Sequence, residues 1–125
     1  MISREGGCHC GRVRFRVTFD EGAPVHDCDC SICTKKGFLH VIVTKEAFTL
    51  LAGADALTTY TFNTGVAKHT FCSTCGVHAF YTPRSHPDGV DVNARCLDDF
   101  EALRPSLRVE RFHGLEWEAS VERIR

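Results

Sequence analysis

The chain has no long apolar run. No stretch approaches the roughly 20 consecutive apolar residues needed to span a bilayer, and Met1-Ile2-Ser3-Arg4-Glu5-Gly6-Gly7 has no apolar core of a secretory signal. A cytoplasmic protein with no membrane partner is the expectation. Nor is there an excess of charge of one sign: Lys and Arg number 15 against 16 Asp and Glu, a formal net charge of −1. No positive field therefore draws a nucleic acid or an anionic membrane. Internal repeats and low-complexity segments are missing too. With 125 residues, 43% hydrophobic and 25% charged, the composition is that of one globular domain, residues 1–125, with an ordinary core.

Cysteine is present in excess, with eight in the chain. A disulfide framework needs an oxidising compartment, to which the sequence shows no route. Cys8 and Cys10 are separated by one residue, as are Cys28 and Cys30, while Cys72 and Cys75 are separated by two. Such separations suit the gripping of one ion. Clustered thiols repel one another when ionised and risk oxidation when they are not, and a metal removes both problems. The natural partition is a closed four-thiolate site from Cys8, Cys10, Cys72 and Cys75, and an open three-thiolate site from Cys28, Cys30 and Cys33. Spacing also allows two closed sites, with Cys96 as the last ligand, or a lone, inert Cys96.

Most of the remaining pattern is strand. Val13, Phe15, Val17 and Phe19 alternate with Arg12, Arg14, Arg16 and Thr18, which predicts a half-buried strand. Residues 38–44, rich in β-branched side chains, predict a central strand. Phe48–Leu51 and Leu57–Phe62 predict two short strands, the second in a hairpin that returns through Val66–Phe71 to Cys72. A strand feeding Cys72-Ser73-Thr74-Cys75-Gly76 is a zinc-knuckle pattern, and no βαβ context supports a redox pair instead. His78–Thr82, Val90–Ala94 and Leu107–Phe112 complete some eight strands, with a loop or short turn at residues 95–99 and Trp117 as cover for the core. A β-dominated fold pinned by metal follows.

Several motifs carry a specific resemblance. Gly-Gly-Cys-His-Cys-Gly from Gly6, Cys-Asp-Cys-Ser-Ile-Cys from Cys28, Tyr60-Thr61-Phe62-Asn63-Thr64, His69 through Gly76, Phe80 through Ser85, and Cys96-Leu97-Asp98-Asp99 resemble the glutathione-dependent formaldehyde-activating enzyme family. That family includes centromere protein V, and the segments from Tyr60 and from Tyr81 are most similar to that branch. The resemblance runs from about Gly6 to Trp117. It implies a mainly β, Mss4-like (β-tent) zinc-bound fold of short antiparallel strands with little helix. It further implies a carbon–sulfur lyase that joins glutathione to formaldehyde as S-hydroxymethylglutathione. On its pattern Cys8, Cys10, Cys72 and Cys75 fall on a structural zinc, and Cys28, Cys30 and Cys33 on a catalytic one, two zinc ions in all. A chromatin role would want a basic extension before Gly6, and none is expected here.

The chemistry has its own logic. Adding a thiol to an aldehyde needs a thiolate held within reach of a carbonyl. Three cysteine thiolates bring a divalent centre to net charge −1, which suits capture of a fourth sulfur better than activation of water. The developing alkoxide needs a proton. Of the seven histidines, His26 and His40 flank the open cluster in sequence, whereas His9 is locked between two thiols. The carboxylates of glutathione want cations, with Lys35, Lys36, Arg84 and Arg95 as candidates. A rival reading is a non-catalytic, zinc-stabilised module that binds thiols or a protein partner.

Overall fold

The computed structural model describes residues 1–114. In chain order its strands are β1 (Ile2–Gly7), β2 (Arg14–Phe19), β3 (Pro24–Cys28), β4 (Leu39–Thr44), β5 (Phe48–Ala52), β6 (Leu57–Tyr60), β7 (His69–Cys72), β8 (Phe80–Tyr81), β9 (Gly89–Asn93) and β10 (Arg108–Phe112). Two short helices, α1 (Ser31–Lys36) and α2 (Phe100–Leu103), accompany them. The protein is mainly β, as the patterning predicts. Among the described residues no helix is long and apolar enough to cross a membrane.

The strands form a three-stranded sheet in the order β1-β2-β5, a five-stranded sheet in the order β10-β3-β4-β9-β8, and the β6-β7 hairpin. All pairings are antiparallel except β10 on β3, where Phe112 lies opposite Cys28. β2 follows its alternation: Phe15 and Val17 are fully buried and Phe19 nearly so, while Arg16 is exposed. Phe15 stacks on Phe48 at 5.7 Å and meets the edge of Phe80 at 6.2 Å, tying the first sheet to the second. Strand β4 occupies the centre of the larger sheet, as its β-branched run predicts. Residues 95–99 hold the end of a single 3₁₀ turn, Ala94–Cys96, which Asn93 caps by accepting from the Arg95 N–H.

Three elements depart from the sequence reading. β1 pairs with β2 along its whole length, although its sequence does not alternate. The last two cysteines of the open cluster introduce a helix, α1, closed by Gly37 in the left-handed region at φ 68°. Finally, β9 is buried on both faces, so Asp91 and Asn93 are as enclosed as Val92. Trp117 lies outside the described residues.

Candidate metal centres and the adjoining cavity

The first cluster is built from two turns. Cys8 and Cys10 lie in the turn between β1 and β2, and Cys72 and Cys75 lie at and just after the end of β7. Their four sulfurs gather within 4.8 Å of one another, with Cys10 Sγ 3.6 Å from both Cys8 Sγ and Cys72 Sγ. A tetrahedron of sulfurs about 2.3 Å from a zinc ion has edges of about 3.8 Å, so these thiols fit that ion. Gly76 follows in the left-handed region at φ 77°, turning the chain after the second thiol pair. The Val13 N–H donates to Cys8 Sγ at 3.3 Å. A hydrogen bond from the Cys75 backbone holds the Cys72 thiol below its ordinary range.

The second cluster gathers Cys28, Cys30 and Cys33 within the same 4.8 Å span. Cys28 ends β3, Cys30 caps α1 and Cys33 is the buried residue of that helix. Phe112 of β10 packs on them. Their thiols cannot ionise independently. Hydrogen bonding from Cys28 and then Cys33 holds Cys30 well below the usual thiol range, while Cys28 is pushed up to about 11, first by Cys30, and Cys33 is driven far up by both neighbours and burial. A divalent cation among them would let all three ionise together.

Cys96 joins neither cluster among the described residues. Its thiol faces the His78 carbonyl at 3.7 Å, and burial pushes it up to about 12. No fourth cysteine therefore closes the second cluster, which floors a cavity of about 290 Å³. Ile32, Ile42, Phe62 and Phe112 give the cavity apolar walls; Arg84 and Ser85 enter from one loop and Asn63 and Thr64 from another.

Of the histidines singled out by sequence, His26 and His40 both line this cavity and face each other across β3 and β4; His9 is exposed beside the first cluster. Of the four candidate cations, Arg84 is in the wall, and Lys35, Lys36 and Arg95 are not. Lys35 is exposed. Lys36 instead lays its ammonium over the rings of Phe38 (4.7 Å) and Tyr81 (4.4 Å), 3.2 Å from His69 Nδ1, and burial pushes its pKa down. Arg95 sits over Phe100 at 5.5 Å. The cavity also holds Asp91, Tyr81 and His69, which the sequence reading did not single out. The one signal for Asp91 was a carboxylate inside a strand flanked by valines.

These features have relatives. A family model described as glutathione-dependent formaldehyde-activating enzyme matches residues 3–113. A Halomonas elongata protein provisionally named glutathione-dependent formaldehyde-activating enzyme is 34% identical over 113 residues, covering 84% of this chain and 71% of its own. The crystal structure of a Rhodobacter sphaeroides protein, 37% identical, superposes with a TM-score of 0.70 over 75% of this chain and 87% of that one. The family match takes in both thiol clusters and every residue named above in the cavity, and on that ground the chain belongs to the glutathione-dependent formaldehyde-activating enzyme family.

Proposed function

We propose that the protein joins glutathione, or a closely related thiol, to formaldehyde or another small aldehyde as an S-hydroxymethyl adduct, the chemistry of a carbon–sulfur lyase. One observation carries this reading: three thiols, with no fourth among the described residues, form the floor of a cavity large enough for a small molecule. Cys28, Cys30 and Cys33 would hold one zinc ion, and Cys8, Cys10, Cys72 and Cys75 a second that is structural. Surrounded by three thiolates, such an ion is a poor activator of water but keeps an incoming thiol ionised at neutral pH.

The chain's own residues supply the rest. Ile32, Ile42, Phe62 and Phe112 set apolar surface around the floor, which limits solvation of a thiolate held there. Arg84 in the wall is placed to receive a carboxylate of the thiol substrate, and Asn63, Thr64 and Ser85 offer hydrogen bonds along it. All eight cysteines are free, which suits a reducing cytoplasm, where glutathione is also kept as the thiol.

Exchange spectroscopy by NMR on mixtures of glutathione and formaldehyde tests the reading. Zinc-loaded protein should speed interconversion above the uncatalysed rate, and Cys33→Ser should remove the effect. Fully zinc-loaded protein that leaves the rate unchanged overturns it. Native mass spectrometry should find two zinc ions and one bound glutathione, with the glutathione and one zinc lost in Cys33→Ser.

A further inference from the structure

Thiol capture leaves one feature of the cavity unused, a buried imidazole–carboxylate pair. Register places His40 of β4 opposite Asn93 of β9, and Asp91 of β9 opposite Ile42. The two side chains meet across the strands, with His40 Nδ1 and Asp91 Oδ2 2.6 Å apart and both residues buried, at 4% and 1% exposure. A carboxylate accepts only, so Nδ1 carries the hydrogen, and in the corresponding uncharged tautomer Nε2 is the acceptor. That Nε2 is buried and has no hydrogen-bond partner among the described residues. An orphaned buried nitrogen is costly unless something comes to it. His40 lines the cavity floored by the thiols, yet its nitrogens are not among the ligand atoms gathered within 4.8 Å of the three sulfurs. It borders the site without closing it.

Titratable and charged groups face this ring from every side. The Tyr81 hydroxyl of β8 is 3.4 Å from Nδ1, and burial, with Asp91 next, holds its pKa well above the usual range, so it stays a hydroxyl. His26 lies across on β3. The Lys36 ammonium rests on the Tyr81 ring, His69 of β7 stacks on the same ring at 4.8 Å, and Cys30 is within electrostatic reach. Of the two groups within hydrogen-bond distance of Nδ1, Asp91 is much the closer, at 2.6 Å against 3.4 Å for Tyr81.

We propose that His40 is the proton carrier of the site: Nε2 takes the proton of the incoming thiol and returns it to the aldehyde oxygen, with Asp91 as the positioning residue. This rests on the thiol–aldehyde reading above. The S–H bond breaks with its electron pair left on sulfur and its proton on Nε2, giving an imidazolium against the Asp91 carboxylate. The sulfur pair then forms the C–S bond as the carbonyl π pair moves to oxygen. Nε2 delivers its proton to that oxygen, and His40 is neutral again. No proton, electron or water is consumed, and the same steps in reverse release aldehyde and thiol.

Two readouts test this without relying on turnover. Imidazole ¹⁵N spectra of the zinc-loaded wild-type protein at neutral pH should show His40 as the Nδ1–H tautomer, and addition of glutathione alone should protonate Nε2. An Nε2 resonance unmoved by glutathione overturns the proposal. Calorimetry of glutathione binding in buffers of different ionisation enthalpy counts protons released. Wild-type protein should retain the thiol proton, whereas His40→Asn should release about one per thiol bound; equal release overturns the proposal. Asp91→Asn should lose the Nδ1–H tautomer preference and release the proton as well. Formaldehyde–glutathione exchange should fall about 10²- to 10⁴-fold in His40→Asn with zinc content unchanged. Should that variant not fold, the wild-type spectra and Asp91→Asn still decide. A pair that merely clips β4 to β9 predicts lower melting temperatures with both proton readouts unaltered. Wild-type protein without any exchange activity overturns the aldehyde chemistry, and the proton readouts then still decide whether His40 takes the thiol proton.

Discussion

A Cβ placed on Gly114 would lie 2.5 Å from Cys28 Sγ and 2.9 Å from Cys30 Cβ, inside the contact distance of carbon with sulfur or with carbon. The sulfur cannot retreat without leaving the cluster, so the chain after β10 has to move. Gly114→Ala should therefore cost the protein its second zinc and its bound glutathione while the first zinc remains, a difference of one ion that native mass spectrometry resolves. His69 has a different sensitivity. Burial, and then the Lys36 ammonium, lower its pKa from 6.5 to about 4. Between those pH values the unfolded chain binds more protons than the native one, so acid erodes stability across that window. Its ring is stacked between Phe62 (5.4 Å) and Tyr81 (4.8 Å), a setting that accepts a phenyl ring. In His69→Phe the melting temperature should fall less steeply from pH 6.5 to pH 4 than in wild type. His78, also lowered to about 4, first by burial, keeps part of the slope in both proteins. Parallel slopes would refute this account of His69.

Strand β2 was legible because one face of it is core and the other is solvent, and alternation records that division directly. Its most enclosed ring, Phe15, bridges two sheets, and Phe15→Ala should destabilise the zinc-loaded protein by about 3–5 kcal/mol, read from urea unfolding. The β6-β7 hairpin was legible from its turn and its arms. Other elements carry no such record. β1 reads Ile-Ser-Arg-Glu-Gly-Gly, and the buried positions at its end are glycines with no side chain to mark them. Helix α1 has six residues, too few for a helical period to appear, and four of them, Ser31, Thr34, Lys35 and Lys36, are polar. Strand β9 interleaves polar residues with valines, which reads as half-exposed. It is covered on both faces, and its polar residues are inside because His40 engages Asp91 while Asn93 accepts from the Leu39 and Arg95 N–H groups and donates to the His78 carbonyl.

At the scale of the molecule the two thiol clusters differ in reach. Cys10 and Cys72 are 62 residues apart, and joining them closes a long loop, whereas Cys28, Cys30 and Cys33 span one turn and a helix. A cross-link over such a loop stabilises by roughly 4 kcal/mol in the chain-entropy account. Cys72→Ser should therefore lower the melting temperature markedly and Cys33→Ser only slightly, with scanning calorimetry as the measurement; equal losses would contradict this division of labour. Seven of the cluster cysteines were readable from spacing because metal ligands that sit close in sequence leave a local signature. Of the rest of the cavity, His40 and Arg84 stood among several sequence candidates with nothing to single them out, and Asp91, Tyr81 and Phe112 were not marked at all, since these residues come together only through strand pairing and loop placement. The parallel seating of β10 on β3 gives the growing chain a timetable. Every cysteine of the long-range cluster has left the ribosome once Cys75 has emerged, but the three thiols of the cavity wait for Phe112 to lie against Cys28. A nascent chain can thus be fastened at its first cluster well before β10, which walls the second, has been made.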